Sequence, residues 1–178
     1  KTISKDGGLT WGKPEPIAQH AKAHLCEPGL VRSPNGKQIA MLLRENSRQF
    51  NSFVTFSNDE GKTWQPQNVR ASFPNAYCRG LLPKADDPYT LFLGNGNGPP
   101  GTVGSLQVSR DGGQSWQMAN LPQTPNSTIW MFATHPALPN LIFAASVNGY
   151  VYRSEDGGAS WVKCSHEFGE LRSLALVV

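Results

Sequence analysis

Four aspartates recur along this chain at nearly even spacing: Asp6, Asp59, Asp111 and Asp156. A carboxylate can serve as a general acid or base, or as a ligand to a hard cation. Each of the four, however, stands in the same phrase. It reads SKDGGLTW at Ser4–Trp11, SNDEGKTW at Ser57–Trp64, SRDGGQSW at Ser109–Trp116 and SEDGGASW at Ser154–Trp161. The copies begin 53, 52 and 45 residues apart. A catalytic group is seldom needed four times at an even period, so the expected role is structural. Asp bonds its own backbone two residues on, and Gly8, Gly61, Gly113 and Gly158 supply positive φ. Trp11, Trp64, Trp116 and Trp161 are each large enough to anchor a returning strand in a core.

Other residues with chemical potential are scattered. Tyr77 and Arg79 stand two apart, a spacing that puts both on one face of a strand. Trp130, His135 and Arg172 fall on the first strand of later segments, as Glu27 does in an earlier one. His20 and His24 are four apart, a metal-binding spacing on a helix, but no HExxH pattern accompanies them and a linker is expected there. The loop GNGNGPPG (residues 94–101) follows a strand and leads into no helix, so it is a long hairpin connection rather than a phosphate loop. Asn126-Ser127-Thr128 is a glycosylation sequon, relevant in a eukaryotic secretory host. Cys26, Cys78 and Cys164 lack metal spacing, and an odd count is no disulfide framework. A Cys26–Cys78 bridge is conceivable, and free thiols are the expectation. No metal and no cofactor is implied.

The elements that must position these groups follow from the phrase. Short β-type runs precede three copies: FVTFS at Phe53–Ser57, SLQVS at Ser105–Ser109 and YVYRS at Tyr150–Ser154. Each copy is therefore a hairpin, with Trp in the first residues of the returning strand. Three full repeats of four strands are expected. The first has strands near 27–32, 38–44, 51–57 and 63–69, with SPNG as its first turn. The second has 78–83, 89–94, 104–109 and 115–120, with the turn KADDP. The third has 129–135, 141–146, 150–154 and 160–163, with the turn PALPN. Residues 1–16 form the end of a repeat, with a strand stub at Lys1–Ser4. Residues 17–25 form a linker, and 171–178 (LRSLALVV) are expected to open a further repeat. Four short antiparallel strands per repeat make the blade of a β-propeller.

Length and composition fit this all-β reading. A chain of 178 residues can bury a sizeable core. Its 18 Gly and 14 Pro suit a turn-rich protein. The net charge of +3 comes from dispersed basic residues and gives no case for nucleic acid. No apolar run approaches membrane-spanning length, and no signal peptide or initiator Met opens the chain, which reads as a processed or cut N-terminus.

The skeleton Ser-x-Asp-x-Gly-x-(Ser/Thr)-Trp resembles the Asp-box, or BNR repeat, of the sialidase-like β-propellers. All four copies fit, with Glu60 replacing one Gly. The resemblance implies about four blades, one of them composite or incomplete: residues 1–25 a partial blade and linker, 26–75, 76–122 and 123–168 blades, and 169–178 the first strand of another. Either the two ends meet in one composite blade and close a ring of four, or the chain is a piece of a six- to eight-bladed ring that a longer parent chain or a second copy completes. Residues 26–64 resemble secreted bacterial exo-α-sialidases, and residues from 77 onward resemble BNR-repeat proteins of the photosystem-assembly-factor type. A junction is expected near residues 70–75. In the sialidase-like half the resemblance makes Glu27 the assistant of a tyrosine nucleophile and Arg44 one member of an arginine cluster gripping a substrate carboxylate. Tyr77 is the candidate nucleophile, and Arg79, Trp130 and Arg172 are candidate substrate-binding groups. The family's first Arg and its acid/base Asp have no counterpart here, and the Tyr-x-Arg spacing departs from its pattern. Three functions follow: a non-catalytic binding or structural module that takes a glycan or protein at the channel mouth, an exo-α-sialidase-type hydrolase, or, by analogy with the second half alone, an assembly factor holding a protein partner on its basic rim.

Overall fold

The computed structural model describes residues 1–47, 50, 52–67, 73, 75 and 77–177. Its regular structure among them is entirely β. Twelve strands form three four-stranded antiparallel meanders: β1 (Leu25–Arg32), β2 (Ile39–Glu45), β3 (Phe53–Ser57) and β4 (Gln65–Gln67); β5 (Tyr77–Lys84), β6 (Asp87–Gly96), β7 (Gly104–Ser109) and β8 (Gln117–Met118); β9 (Ile129–His135), β10 (Leu138–Ser146), β11 (Val151–Ser154) and β12 (Val162–Lys163). Each meander is a propeller blade. The chain divides into two compact units, Lys1–Val69 with the first sheet and Arg70–Val178 with the other two. The junction expected near residues 70–75 lies mostly outside the described residues.

The turns form as their chemistry requires. In SPNG, Gly36 takes φ 72° and its N–H donates to the Ser33 carbonyl at 2.9 Å. KADDP and PALPN close β5–β6 and β9–β10 through tight turns. Residues 17–24 form no helix, in line with the linker reading. Lys1–Ser4 is not a regular strand, although the Gly12 N–H donates to the Ile3 carbonyl at 3.0 Å and the Glu15 N–H to that of Lys1 at 2.7 Å. Residues 171–177 also form no strand; Leu171 and Leu174 pack against Met131, Ala145 and Val151 instead.

All four recurrent phrases adopt one clamp. The Ser hydroxyl donates to Asp Oδ1 at 2.7–2.8 Å and accepts the N–H of the second turn glycine at 2.7–2.8 Å. The following Ser or Thr donates its N–H to Asp Oδ1 at 2.9 Å and its hydroxyl to Oδ2 at 2.5–2.6 Å. Glu60, the one non-glycine at the first left-handed turn position, sits at φ 59°. Arg32 grips its carboxylate with two guanidinium nitrogens, at 2.7 and 2.8 Å. That charge-assisted fork offsets part of the backbone strain.

Trp64, Trp116 and Trp161 each stand just before the returning strand rather than within it. Trp161 is buried and meets Phe92 edge-on at 6.2 Å, and Trp116 meets Phe73 at 5.6 Å. Trp64 and Trp116 donate Nε1–H to Gly61 and Gly113 carbonyls, both at 3.0 Å. Trp11 departs from the expectation of a core anchor: it is 63 % exposed. Its copy belongs to a lone hairpin whose arms form no sheet.

In the second unit the core lies between the two sheets. Phe92 and Leu106 pack against Ile129, Ile142, Ala144 and Tyr152, all of them fully buried, and Trp161. The sheets approach so closely because the facing strands carry glycines. A Cβ on Gly94 would run into the Ile129 carbonyl, and one on Gly80 would lie 2.7 Å from the Trp130 carbonyl. These glycines seat the start of β9 directly against β5 and β6.

Two outcomes follow from this architecture. Gly94→Ala should destabilise the second unit by about 1–3 kcal/mol through overpacking, whereas Gly29→Ala, with open space around it, should be neutral or slightly stabilising. Urea unfolding of both variants checks this, and equal midpoints would refute the close-approach account. The clamp also sets an acid limit. The Ser115 hydroxyl, then its N–H and the Ser109 hydroxyl, hold Asp111 at about 2 instead of the ordinary 3.8. Thr10 does the same for Asp6, at about 2, and Asp59 and Asp156 are lowered by the same donors in their copies. A depressed folded value means stabilisation that is complete above about pH 4 and lost as pH falls toward about 2. The urea midpoint should therefore drop over that range, and less steeply in Asp111→Asn.

Candidate functional site

In the first unit, β1 and β2 bring Glu27 and Arg44 together. The ladder slips between Cys26 and Gly29, and Glu27 in that bulge takes φ 47°. Such a left-handed non-glycine residue is strained, and the bulge re-aims its side chain. Its carboxylate accepts from Arg44 Nη1 at 2.7 Å (Oε1) and 2.8 Å (Oε2). Arg44 reaches it from β2, where alternation buries Met41, Leu43 and Glu45 and turns Leu42 and Arg44 outward. Both partners are exposed, so the pair is a solvated contact of modest strength.

Sequence reasoning missed Glu45, which lies on the buried side of the same strand. Burial pushes its carboxyl up, but the Ser47 hydroxyl and the N–H groups of His24, Ser47 and Phe50 outweigh this and hold it at about 2. It ties the linker and the β2–β3 connection to the sheet. His20 also has a structural partner set. Its Nδ1 accepts the N–H of Lys22 at 3.2 Å and of Ala23 at 3.0 Å, and its ring meets Phe50 at 4.9 Å. The linker borders an open hollow of about 650 Å³ that holds none of the other candidate groups.

In the second unit three candidates converge. Arg79 on β5 places its guanidinium 4.8 Å from the Trp130 ring centroid on β9, and Arg172 places its own at 5.3 Å from the same ring. Arg172 also pairs with Glu170. Among the described residues Arg79 has no acidic partner. The Trp130 indole N–H is buried and finds no acceptor among the described residues. Two cations, one counter-carboxylate and an indole face leave a net positive charge beside an aromatic surface. Such a group can take up a ligand that combines an anionic group with an apolar or aromatic face.

Tyr77 begins β5 opposite Gly96. The shared face expected for Tyr77 and Arg79 rested on strict alternation, and β5 breaks it. Cys78 pairs with Asn95 and Gly80 with Gly94, so Arg79 is an extra residue in a bulge. Nothing in the ladder pattern of the sequence signals that bulge. His135 caps a turn, its Nδ1 accepting the Ala137 N–H at 3.1 Å. The three thiols are free, and burial raises Cys78 to about 11. The sequon is folded into the structure: Asn126 donates to the Asn148 carbonyl, and Ser127 and Thr128 are fully buried. No cluster of three His, Cys, Asp or Glu side chains suited to a metal occurs among the described residues.

Comparison with known proteins places this geometry in context. The family model described as a BNR repeat-like domain matches residues 2–121. No curated protein sequence matches at a significant level. Among solved structures, a Penicillium chrysogenum α-L-arabinanase is similar at 15 % identity and TM-score 0.52, covering 97 % of this chain and 56 % of its own. Trypanosoma rangeli sialidase is similar at 14 % identity and TM-score 0.51, covering 99 % of this chain and 36 % of its own. YCF48 bound to a D1 peptide gives 21 % identity and TM-score 0.46, over 74 % of this chain and 39 % of its own. The chain thus spans between about a third and somewhat over half of each of these proteins. At such identities the likeness is one of fold, the β-propeller.

Because the Arg79 guanidinium lies 4.8 Å from the Trp130 ring centroid, Arg79→Ala should raise the accessibility of Trp130 to acrylamide, read as the fluorescence lost in Trp130→Phe. An unchanged quenching constant would contradict the contact.

Proposed function

The chain belongs to the BNR repeat-like family, and from that premise we propose that it acts as a non-catalytic binding module of the sialidase-like propeller type, taking a glycan or protein ligand at Arg79, Trp130 and Arg172. The observation that carries this reading is the convergence of two guanidinium groups on one indole. Arg79 brings an unneutralised charge, and the ring brings a flat apolar surface that suits a sugar face or an aromatic side chain. Both strands that hold the cluster are the first of their sheets, the position that lines the channel in a propeller. A binding role also fits the state of Glu27, whose carboxylate is engaged by Arg44. Self-association, or a parent chain that completes the ring, belongs to the same reading, since an open run of blades leaves apolar faces uncovered.

Exo-α-sialidase-type hydrolysis is the second reading, and it has one observation in its favour. Glu27 is held in a strained left-handed conformation, as residues at functional sites often are. It would assist a tyrosine nucleophile, with Arg44 gripping the substrate carboxylate. The family fold hosts both outcomes, so the site must decide.

The full chain should be probed on glycan and peptide arrays, with hits titrated in solution. Arg79→Ala and Trp130→Ala should each weaken the hit by about tenfold or more, the loss expected of a central Arg or Trp anchor. Binding that is unchanged in both variants would overturn the site assignment. Cleavage of a fluorogenic sialoside that disappears in Glu27→Ala would overturn the non-catalytic reading.

A further inference from the structure

We propose that Thr128, with its neighbours Asn126 and Ser127, is a positioning residue for Trp130: the tripeptide clasps the start of β9 between two hairpin loops and holds the indole where Arg79 meets it; this rests on the reading of Arg79 and Trp130 as the ligand site. The ladder alone does not fix the indole. Ala145 pairs with Met131, and the next residue of β10, Ser146, pairs with Ile129, so Trp130 is an extra residue in a bulge. Arg79 is the extra residue of β5 in the same way. A bulge re-aims its side chain away from the alternation of the strand. The direction of Trp130 then depends on what fixes the chain beside it.

On one side the tripeptide is bonded to the β6–β7 loop, residues 97–103. Thr128 donates its N–H to the Pro100 carbonyl at 2.9 Å and its hydroxyl to the Gly98 carbonyl at 2.6 Å. Asn97 braces that loop from within: its Oδ1 accepts the Thr102 N–H at 2.9 Å, and its Nδ2 donates to Thr102 Oγ1 at 3.0 Å. On the other side the tripeptide is bonded to the β10–β11 hairpin. The Val147 N–H donates to the Thr128 carbonyl at 3.1 Å, and the Asn148 N–H to Ser127 Oγ at 2.8 Å. Asn126 Nδ2 donates to the Asn148 carbonyl at 2.8 Å, and Ser146 Oγ donates to Asn126 Oδ1 at 2.8 Å. Glycines make room for the clasp: a Cβ on Gly96 would run into the Thr128 hydroxyl, and one on Gly104 into the Ser127 carbonyl. Ser127 and Thr128 are fully buried, so removing one partner leaves the other unpaired away from water. A satisfied buried network of this kind specifies one arrangement, where apolar packing alone tolerates small shifts. The glycine-rich loop and the sequon thus act together, and in the folded chain all three polar side chains of the sequon are engaged.

The experiment uses the full chain without ligand. Trp130 is read by acrylamide quenching and by its emission maximum, each taken by difference from the same protein carrying Trp130→Phe. Thr128→Val keeps the shape of the side chain and removes its hydroxyl. It should raise the Trp130 quenching constant and shift the emission to the red, while Thr128→Ser, which keeps the hydroxyl, should stay near wild type. Asn126→Ala opens the hairpin side of the clasp, should act in the same direction, and serves if Thr128→Val does not fold. Ile142→Val, opposite the far end of β9, controls for lost stability and should leave Trp130 unchanged. Adding Arg79→Ala to Thr128→Val should raise the quenching little further, because both substitutions break one contact. A Trp130 signal unmoved in both Thr128→Val and Asn126→Ala, a Thr128→Ser protein that shifts as far as Thr128→Val, an equal shift in Ile142→Val, or full additivity with Arg79→Ala would overturn the clasp. Each of these results would leave the Arg79 and Trp130 binding tests standing, since none of them involves a ligand.

Discussion

One interaction underlies the architecture: an aspartate carboxylate that gathers the donors of its own turn. In each copy it takes the preceding Ser hydroxyl, the next Ser or Thr N–H and that residue's hydroxyl. No cation is needed, because four lone-pair sites on one carboxylate can satisfy a tight corner that would otherwise leave backbone donors to water. The corner sets the angle at which the third strand returns as the fourth. Where Glu60 stands in place of glycine, the same corner forms with Glu60 at φ 59°, and Arg32 meets its carboxylate with two guanidinium nitrogens.

A second constraint acts between sheets. Glycines at 80 and 94 remove the Cβ atoms that would hold β9 away, and the backbone of Ile129 and Trp130 moves into the space. Trp130 is thereby carried beside β5, where a bulge turns Arg79 onto its ring. Packing of the core and the meeting of Arg79 with Trp130 thus depend on the same close approach. In the other unit the Glu27–Arg44 pair arises within a single hairpin, from a bulge opposite an outward position of β2. One cluster depends on two sheets meeting, the other on local ladder geometry.

Much of the fold was legible in the amino-acid order. The four phrases located the four Asp clamps, and alternation placed the strands of all three sheets to within a few residues. Trp11 marks a limit: the same phrase that buries Trp161 leaves Trp11 exposed, because burial requires a sheet to pack on and the first hairpin forms none. Residues 171–177 mark another. Their apolar pattern reads as a strand, but Leu171 and Leu174 pack against Met131, Ala145 and Val151 instead. The site was legible as a set of residue types and illegible as a set of contacts. Tyr77 and Arg79 were paired by a period of two that a bulge interrupts, and the sharing of one indole by Arg79 and Arg172 joins residues 93 positions apart in the chain.

By itself, then, the order of residues determined the turn chemistry, the four-stranded meander and the family, all of which depend on neighbours within about ten positions. Tertiary structure alone decided which charges are neutralised, which tryptophan is covered and which guanidinium groups meet. Those outcomes depend on the space left where sheets approach and on where an unpaired segment comes to rest, and neither is a property of any local stretch.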